Sequence, residues 1–152
     1  MKKILLVLLS SLTFLAVSSS ANAIKVGALY LDTAGFFGEI KVGIEAAGAE
    51  EGIELTGANS QSDVAKESEF IDTLIAKGVD VVIMSPVSTD SSVAAVERLA
   101  AAGIPVVCYN TCLNEDDAAR LAYALVTTSQ RELGYPVGVM AGEWAIKAEI
   151  DL

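Results

Sequence analysis

DVAKESEFIDTLIAKGVDVVIMSP, residues 63–86, holds one helix and one strand divided by a single glycine. Asp63 is a good N-cap, since its carboxylate can accept from the free amides of a first helical turn. Val64, Ile71, Leu74 and Ile75 line one face of a helix that runs to Lys77. Gly78 ends it. VDVVIM, residues 79–84, is then apolar almost throughout, as a strand buried on both faces must be.

The same alternation extends in both directions. Residues 24–31 (IKVGALYL) read as a strand, and Phe37, Ile40, Ile44 and Ala47 recur at helical spacing over 36–51 until Gly52 stops the helix. Residues 53–58 form a second, weaker strand. Beyond Pro86, Asp90 or Ser91 caps a helix carrying Val93, Val96 and Leu99, which Gly103 ends. Residues 104–109 (IPVVCY) and 121–126 read as strands, and Ser129 opens a last helix toward Lys147. Strands alternating with helices of this length predict an α/β fold, a parallel sheet with helices on both faces and right-handed crossovers. Such sheets bind ligands beyond the carboxyl ends of their strands, where the strand order reverses. The residues after each strand are therefore the informative ones.

After the first strand comes Asp32-Thr33-Ala34-Gly35-Phe36-Phe37. Neighbouring helical positions point about 100° apart, so two adjacent aromatics cannot both face the core. One ring can stand in the cleft, where an aromatic face suits the C–H groups of a sugar; local packing of both rings is the alternative. The segment contains neither the glycine fingerprint of dinucleotide binding nor a P-loop. Asn110-Thr111 follows the strand at 104–109. A carboxamide matches two neighbouring hydroxyls with a donor and an acceptor, but asparagine also simply suits a turn. Cys108 and Cys112 are four positions apart. A disulfide needs Cα atoms within about 7 Å, which an extended strand does not allow, so a buried Cys108 thiol is expected unless the chain bends sharply. Glu115-Asp116-Asp117 suits the negative charge favoured at a helix N-terminus, and Trp144 is expected to pack in the core or at an interface between lobes.

Lys2 and Lys3, the apolar run 4–17 and Ala21-Asn22-Ala23 compose a secretory signal peptide, residues 1–23, with cleavage expected after Ala23. The apolar run is shorter than the roughly 20 residues that span a bilayer. No cysteine lies near the cleavage point for lipid attachment, so the processed chain is not expected to be membrane-embedded. Removing the peptide leaves 8 basic and 20 acidic residues, a net charge of −12. That balance argues against nucleic acid as a partner, because phosphate contacts need Lys and Arg. The chain has no histidine, so the commonest general base and zinc ligand is missing. No catalytic residue, metal site or cofactor is expected.

KVGALYLDTAGFFGEIKVGIEAA, NSQSDVAKESEFIDTLIAKGVDVVIMSPVSTDS, AAGIPVVCYNT and TTSQRELGYPVGVMAGEWA, in that order, resemble the periplasmic sugar-binding proteins of ABC transporters, the ribose- and galactose-binding type. The resemblance implies two similar α/β lobes that close on one sugar or polyol and deliver it to an ABC permease. A sensor feeding a chemoreceptor or kinase is the alternative, and an exported α/β enzyme a further one. Residues 24–152 would be the N-terminal lobe, with the second lobe lying beyond them. Carried over by position, Phe36 and Phe37 would be the stacking pair, beside Asp32 and Thr33 of the same loop. Asn110 and Thr111 would stand where the family often has Asp-Arg, and Gln61 and Ser85 would line the site. Asn-Thr removes charge-assisted hydrogen bonds, which puts ribose itself in doubt.

Overall fold

A computed structural model describes residues 23–148; the expected signal peptide, Ala23 apart, lies outside them. Five strands form one sheet: β1 (Lys25–Tyr30), β2 (Glu54–Asn59), β3 (Val81–Met84), β4 (Val106–Tyr109) and β5 (Ala122–Val126). Their spatial order is β2-β1-β3-β4-β5, and every pairing is parallel. The helices between and after them are α1 (Gly35–Glu50), α2 (Val64–Lys77), α3 (Val93–Ala101), α4 (Glu115–Leu121) and α5 (Gln130–Lys147). The α/β architecture expected from 63–86 and its repeats is the one observed.

Two rows of side chains cross the sheet. Leu29, Met84 and Cys108 are register partners across β1, β3 and β4. They join Ile71 and Leu74 of α2 and Val96 and Leu99 of α3 in the hydrophobic core. One residue earlier, Ala28, Ile83 and Val107 form a second row that the strand alternation turns to the opposite face. There α1 packs over β1 and β2. Ala28 is buried under it, whereas Ile83 and Val107 remain half-buried.

The helix of the 63–86 unit folds as read, whereas its strand is Val81–Met84 and is buried on one face only, Val82 and Met84 being buried and Val81 and Ile83 half-buried where α1 does not cover the sheet. Asp63 Oδ1 accepts from the amides of Ala65 (2.8 Å) and Lys66 (3.1 Å), and Gly78 ends α2 with a left-handed φ of 63°. Gly27 lets α2 approach β1: a Cβ there would stand 2.8 Å from Leu74 Cδ1.

The α3 cap differs from expectation. Ser92 occupies the cap position, and neither Asp90 nor Ser91 caps the helix. Both lie in the preceding turn, and their amides donate to Ser88 Oγ at 3.4 and 3.1 Å. Ser88 Oγ thus closes the turn that leads into α3, and the Asp90 carboxylate instead accepts from Asn114 Nδ2 at 2.9 Å. Trp144 is also not in the core. It is 64% exposed, as are most apolar side chains of α5.

Candidate functional site

The strand order reverses between β1 and β3, and the loops at the carboxyl edge around that point carry all eight residues singled out in the sequence. Four loops build this rim, each fixed by its own bonds.

After β1, Asp32 Oδ1 accepts from the Thr33 amide at 2.6 Å, and Thr33 Oγ1 accepts from Asn59 Nδ2 of β2 at 3.1 Å. Helix α1 starts after Ala34 with no side-chain cap, so its first-turn amides point outward without a side-chain acceptor. Phe36 and Phe37 meet edge to face, centroids 5.2 Å apart. Phe36 is 64% exposed and Phe37 half-buried. One ring is therefore presented and the other braces it.

After β2, Ser60 Oγ donates to the Tyr30 carbonyl at 3.1 Å. The Gln61 amide donates to Asn59 Oδ1 at 2.9 Å. The Gln61 side chain is exposed, and its Oε1 accepts from Lys66 Nζ. After β3, Ser85 is buried and its hydroxyl has no partner among the described residues. Beneath this loop lies Glu67, fully buried, whose Oε2 accepts from the Val87 amide at 2.8 Å. Burial pushes the Glu67 carboxyl above its ordinary range, opposed by the nearby Ser92 hydroxyl and the bond from the Val87 amide.

After β4, Cys108 and Cys112 form a disulfide with Cα atoms 5.3 Å apart. The buried thiol expected for Cys108 is thus replaced by a bridge. The reason is a bend that the sequence pattern does not reveal: Asn110 takes a left-handed φ of 62°, and the Thr111 amide donates back to the Tyr109 carbonyl at 2.7 Å. The Asn110 amide donates to the Val126 carbonyl at 2.9 Å, and Thr127 Oγ1 donates to the Asn110 carbonyl at 3.0 Å.

A groove of about 490 Å³ runs from this rim down the α1 face of the sheet. Ile83 and Val107 floor it, Ile40 and Ile44 wall it, and Phe36, Asn110, Thr127 and Thr128 stand at its polar end. Of the eight expected residues, Phe36 and Asn110 line this groove together. Asp32, Thr33, Phe37, Gln61, Ser85 and Thr111 belong to the same rim but not to the groove wall. Thr127 and Thr128, which follow the strand read at 121–126, also line it, as does Tyr109, which was not singled out. The two-residue alternation of β4, which places Tyr109 with Val107, is the signal that could have found the tyrosine. Burial pushes the Tyr109 phenol up, so it stays a neutral hydroxyl at physiological pH. Among the described residues no group of three or more His, Cys, Asp or Glu side chains is placed to hold a metal ion, and no helix is long and apolar enough to cross a membrane.

The family described as "Periplasmic binding protein domain" matches residues 27–148. The ABC transporter periplasmic-binding protein YphF of Escherichia coli (strain K12) is 36% identical over 135 residues, which are 88% of this chain and 41% of that protein. A xylitol-binding protein of Mycolicibacterium smegmatis is 29% identical over 102 residues, 67% of this chain and 29% of its own length. This chain therefore spans less than half the length of these curated relatives. Among solved structures, the arabinose ABC transporter binding protein of Shewanella sp. ANA-3, bound to L-arabinofuranose, superposes with a TM-score of 0.71 at 23% identity. The match covers 82% of this chain and 40% of that one.

Proposed function

We infer the function from one premise: this chain belongs to the periplasmic binding protein domain family. Its role is that of a solute-binding protein that captures a sugar or polyol between two lobes and presents it to an ABC-type permease. Residues 24–152 form the first lobe, exported by the leader at 1–23 and released by cleavage after Ala23. A second lobe covers the rim and the apolar surface of α5. The reading contains no catalytic step.

The observation that carries it is the pairing of Phe36 and Asn110 on one groove at the switch point of the sheet. An exposed ring offers a face to sugar C–H groups, and a carboxamide offers a donor and an acceptor to adjacent hydroxyls. The relatives named as xylitol-binding and arabinose-binding support a neutral polyhydroxylated ligand. Asp32, Thr33, Phe37, Gln61, Ser85 and Thr111 supply the remaining contacts, directly or by shaping the rim.

Isothermal titration of the full-length protein against L-arabinose, D-ribose, xylitol and myo-inositol tests this. Binding of one of them with a Kd near micromolar, about −8 kcal/mol, is expected. No heat with any member of the panel, together with binding of a charged amino acid or peptide, would overturn it.

A further inference from the structure

We propose that the Cys108–Cys112 bridge is a positioning device for the ligand: it closes a short ring around Asn110 and Thr111 and holds the Asn110 carboxamide at the groove rim. This rests on the function proposed above, in which Asn110 meets the bound sugar.

Both cysteines are buried, Cys108 at 1% and Cys112 at 6% exposure, and both belong to the core beneath α3 and α4. Their sequence separation is 4 and their Cα atoms are 5.3 Å apart. Four extended residues would span about 13 Å. The chain must therefore fold back on itself inside the ring, and it does so at Asn110, with φ at 62°. The left-handed region is disfavoured for any residue with a Cβ, asparagine least among them. A loop free to relax would share its population with other conformers, and in those the carboxamide would leave the rim.

The other fastenings of Asn110 come from one side only. Its amide and carbonyl bond to Val126 and Thr127, and both of these residues are exposed at the outer end of the edge strand β5. The bridge supplies the opposing anchor from the core side. The other three loops are tied across the rim by hydrogen bonds alone: Thr33 to Asn59, Ser60 to the Tyr30 carbonyl, and Val87 to Glu67. A covalent tie is therefore placed where a polar side chain lines the groove. Ordering that side chain before the ligand arrives removes an entropy cost from binding.

The test uses the full-length protein in three forms: oxidised, reduced with tris(2-carboxyethyl)phosphine, and C108A/C112A. In the reduction the S–S bond breaks, both sulfurs take protons as thiols, and the phosphine becomes its oxide with oxygen from water. Calorimetry with D-ribose, xylitol and myo-inositol reads affinity, and amide hydrogen exchange reads the loop. Exchange at Asn110, Thr111 and Leu113 is expected to quicken at least tenfold in both bridge-free forms while β3 amides keep their protection. Affinity should fall about tenfold, or about 1.4 kcal/mol, and Asn110→Ala should cost less there than in the oxidised protein. Unchanged loop exchange overturns the proposal, and so does a loosened loop with undiminished affinity. If the oxidised protein takes none of the three probes and no L-arabinose either, the sugar reading falls, and the exchange result alone decides whether the bridge holds the loop. Should C108A/C112A fail to fold, the reduced wild type carries the same measurements.

Discussion

Glu67 Oε2 accepts a hydrogen bond from the Val87 backbone amide at 2.8 Å, which joins helix α2 to the loop after β3. The carboxyl is fully buried and its second oxygen has no partner among the described residues. One side chain thus fastens a rim loop to the helix that begins just past Gln61, at the cost of a desolvated acid.

Glu67→Gln keeps a carbonyl oxygen for Val87 and should leave urea-unfolding stability at pH 7 within about 1 kcal/mol of wild type. Glu67→Ala leaves the amide unpaired over a cavity and should cost about 2–4 kcal/mol. Burial raises the Glu67 pKa in the folded state. The favourable contribution is therefore present while the group is protonated, below the ordinary glutamate range, and is lost as pH rises through the raised value. Stability measured from pH 4 upward should fall in wild type relative to Glu67→Gln. A difference that stays flat across that range would refute the buried, upward-shifted acid.

Gly27 and Leu74 make a second such pair. A methyl at position 27 would meet Leu74 Cδ1 at 2.8 Å and Cδ2 at 2.9 Å, and Leu74 is a core side chain, 1% exposed. Gly27→Ala should destabilise by about 1–3 kcal/mol through overpacking. In a Leu74→Ala background the same change should cost markedly less, because the clashing atoms are gone. Additive costs in the double mutant would contradict the close approach of α2 to β1.

Much of this architecture can be read from single residues. Gly78 and Asp63 mark both ends of α2, and the apolar run 79–84 announces a strand, because these signals are local; that one face of it stays half-covered is not legible there. What the sequence pattern hides depends on backbone angles or on distant neighbours. The Cys108–Cys112 bridge requires a left-handed Asn110, and nothing in IPVVCYNTC marks that residue as anything but a turn. Ser85 follows the strand where a lining residue should sit, yet its side chain is buried. The groove itself exists because α1 covers only β1 and β2, a fact of topology rather than of any one motif.

In the proposed reading the Phe36–Phe37 pair divides the work of binding and folding. Phe36→Ala should alter unfolding stability by less than about 0.5 kcal/mol, since the ring is already 64% exposed. It should weaken sugar binding by the full-length protein at least tenfold. Phe37→Ala, at the half-buried ring, should cost about 1–2 kcal/mol of stability and less affinity per unit of stability lost. Calorimetry and urea melts on both variants decide this, and equal affinity losses would mean that neither ring alone faces the ligand.

Helix α5 presents Leu133, Tyr135, Met140, Trp144 and Ile146 to solvent, each at least 63% exposed. Apolar surface of this extent on one helix is characteristic of an interface, and in the proposed reading the second lobe covers it. A polypeptide of residues 24–148 should therefore associate as its concentration rises, visible in sedimentation velocity, while the full-length protein stays monomeric. Met140→Lys with Trp144→Lys should suppress that association without changing the melting of β1 to β4, because neither side chain contributes to the core. The same polypeptide should bind sugar several decades more weakly than the full-length protein. A hydroxyl held by one lobe and left facing water gains only about 0.5–1.5 kcal/mol per hydrogen bond, and each lost 1.4 kcal/mol is about a factor of ten. If residues 24–148 bind xylitol or arabinose as tightly as the full chain does, enclosure between two lobes is not how this protein holds its ligand.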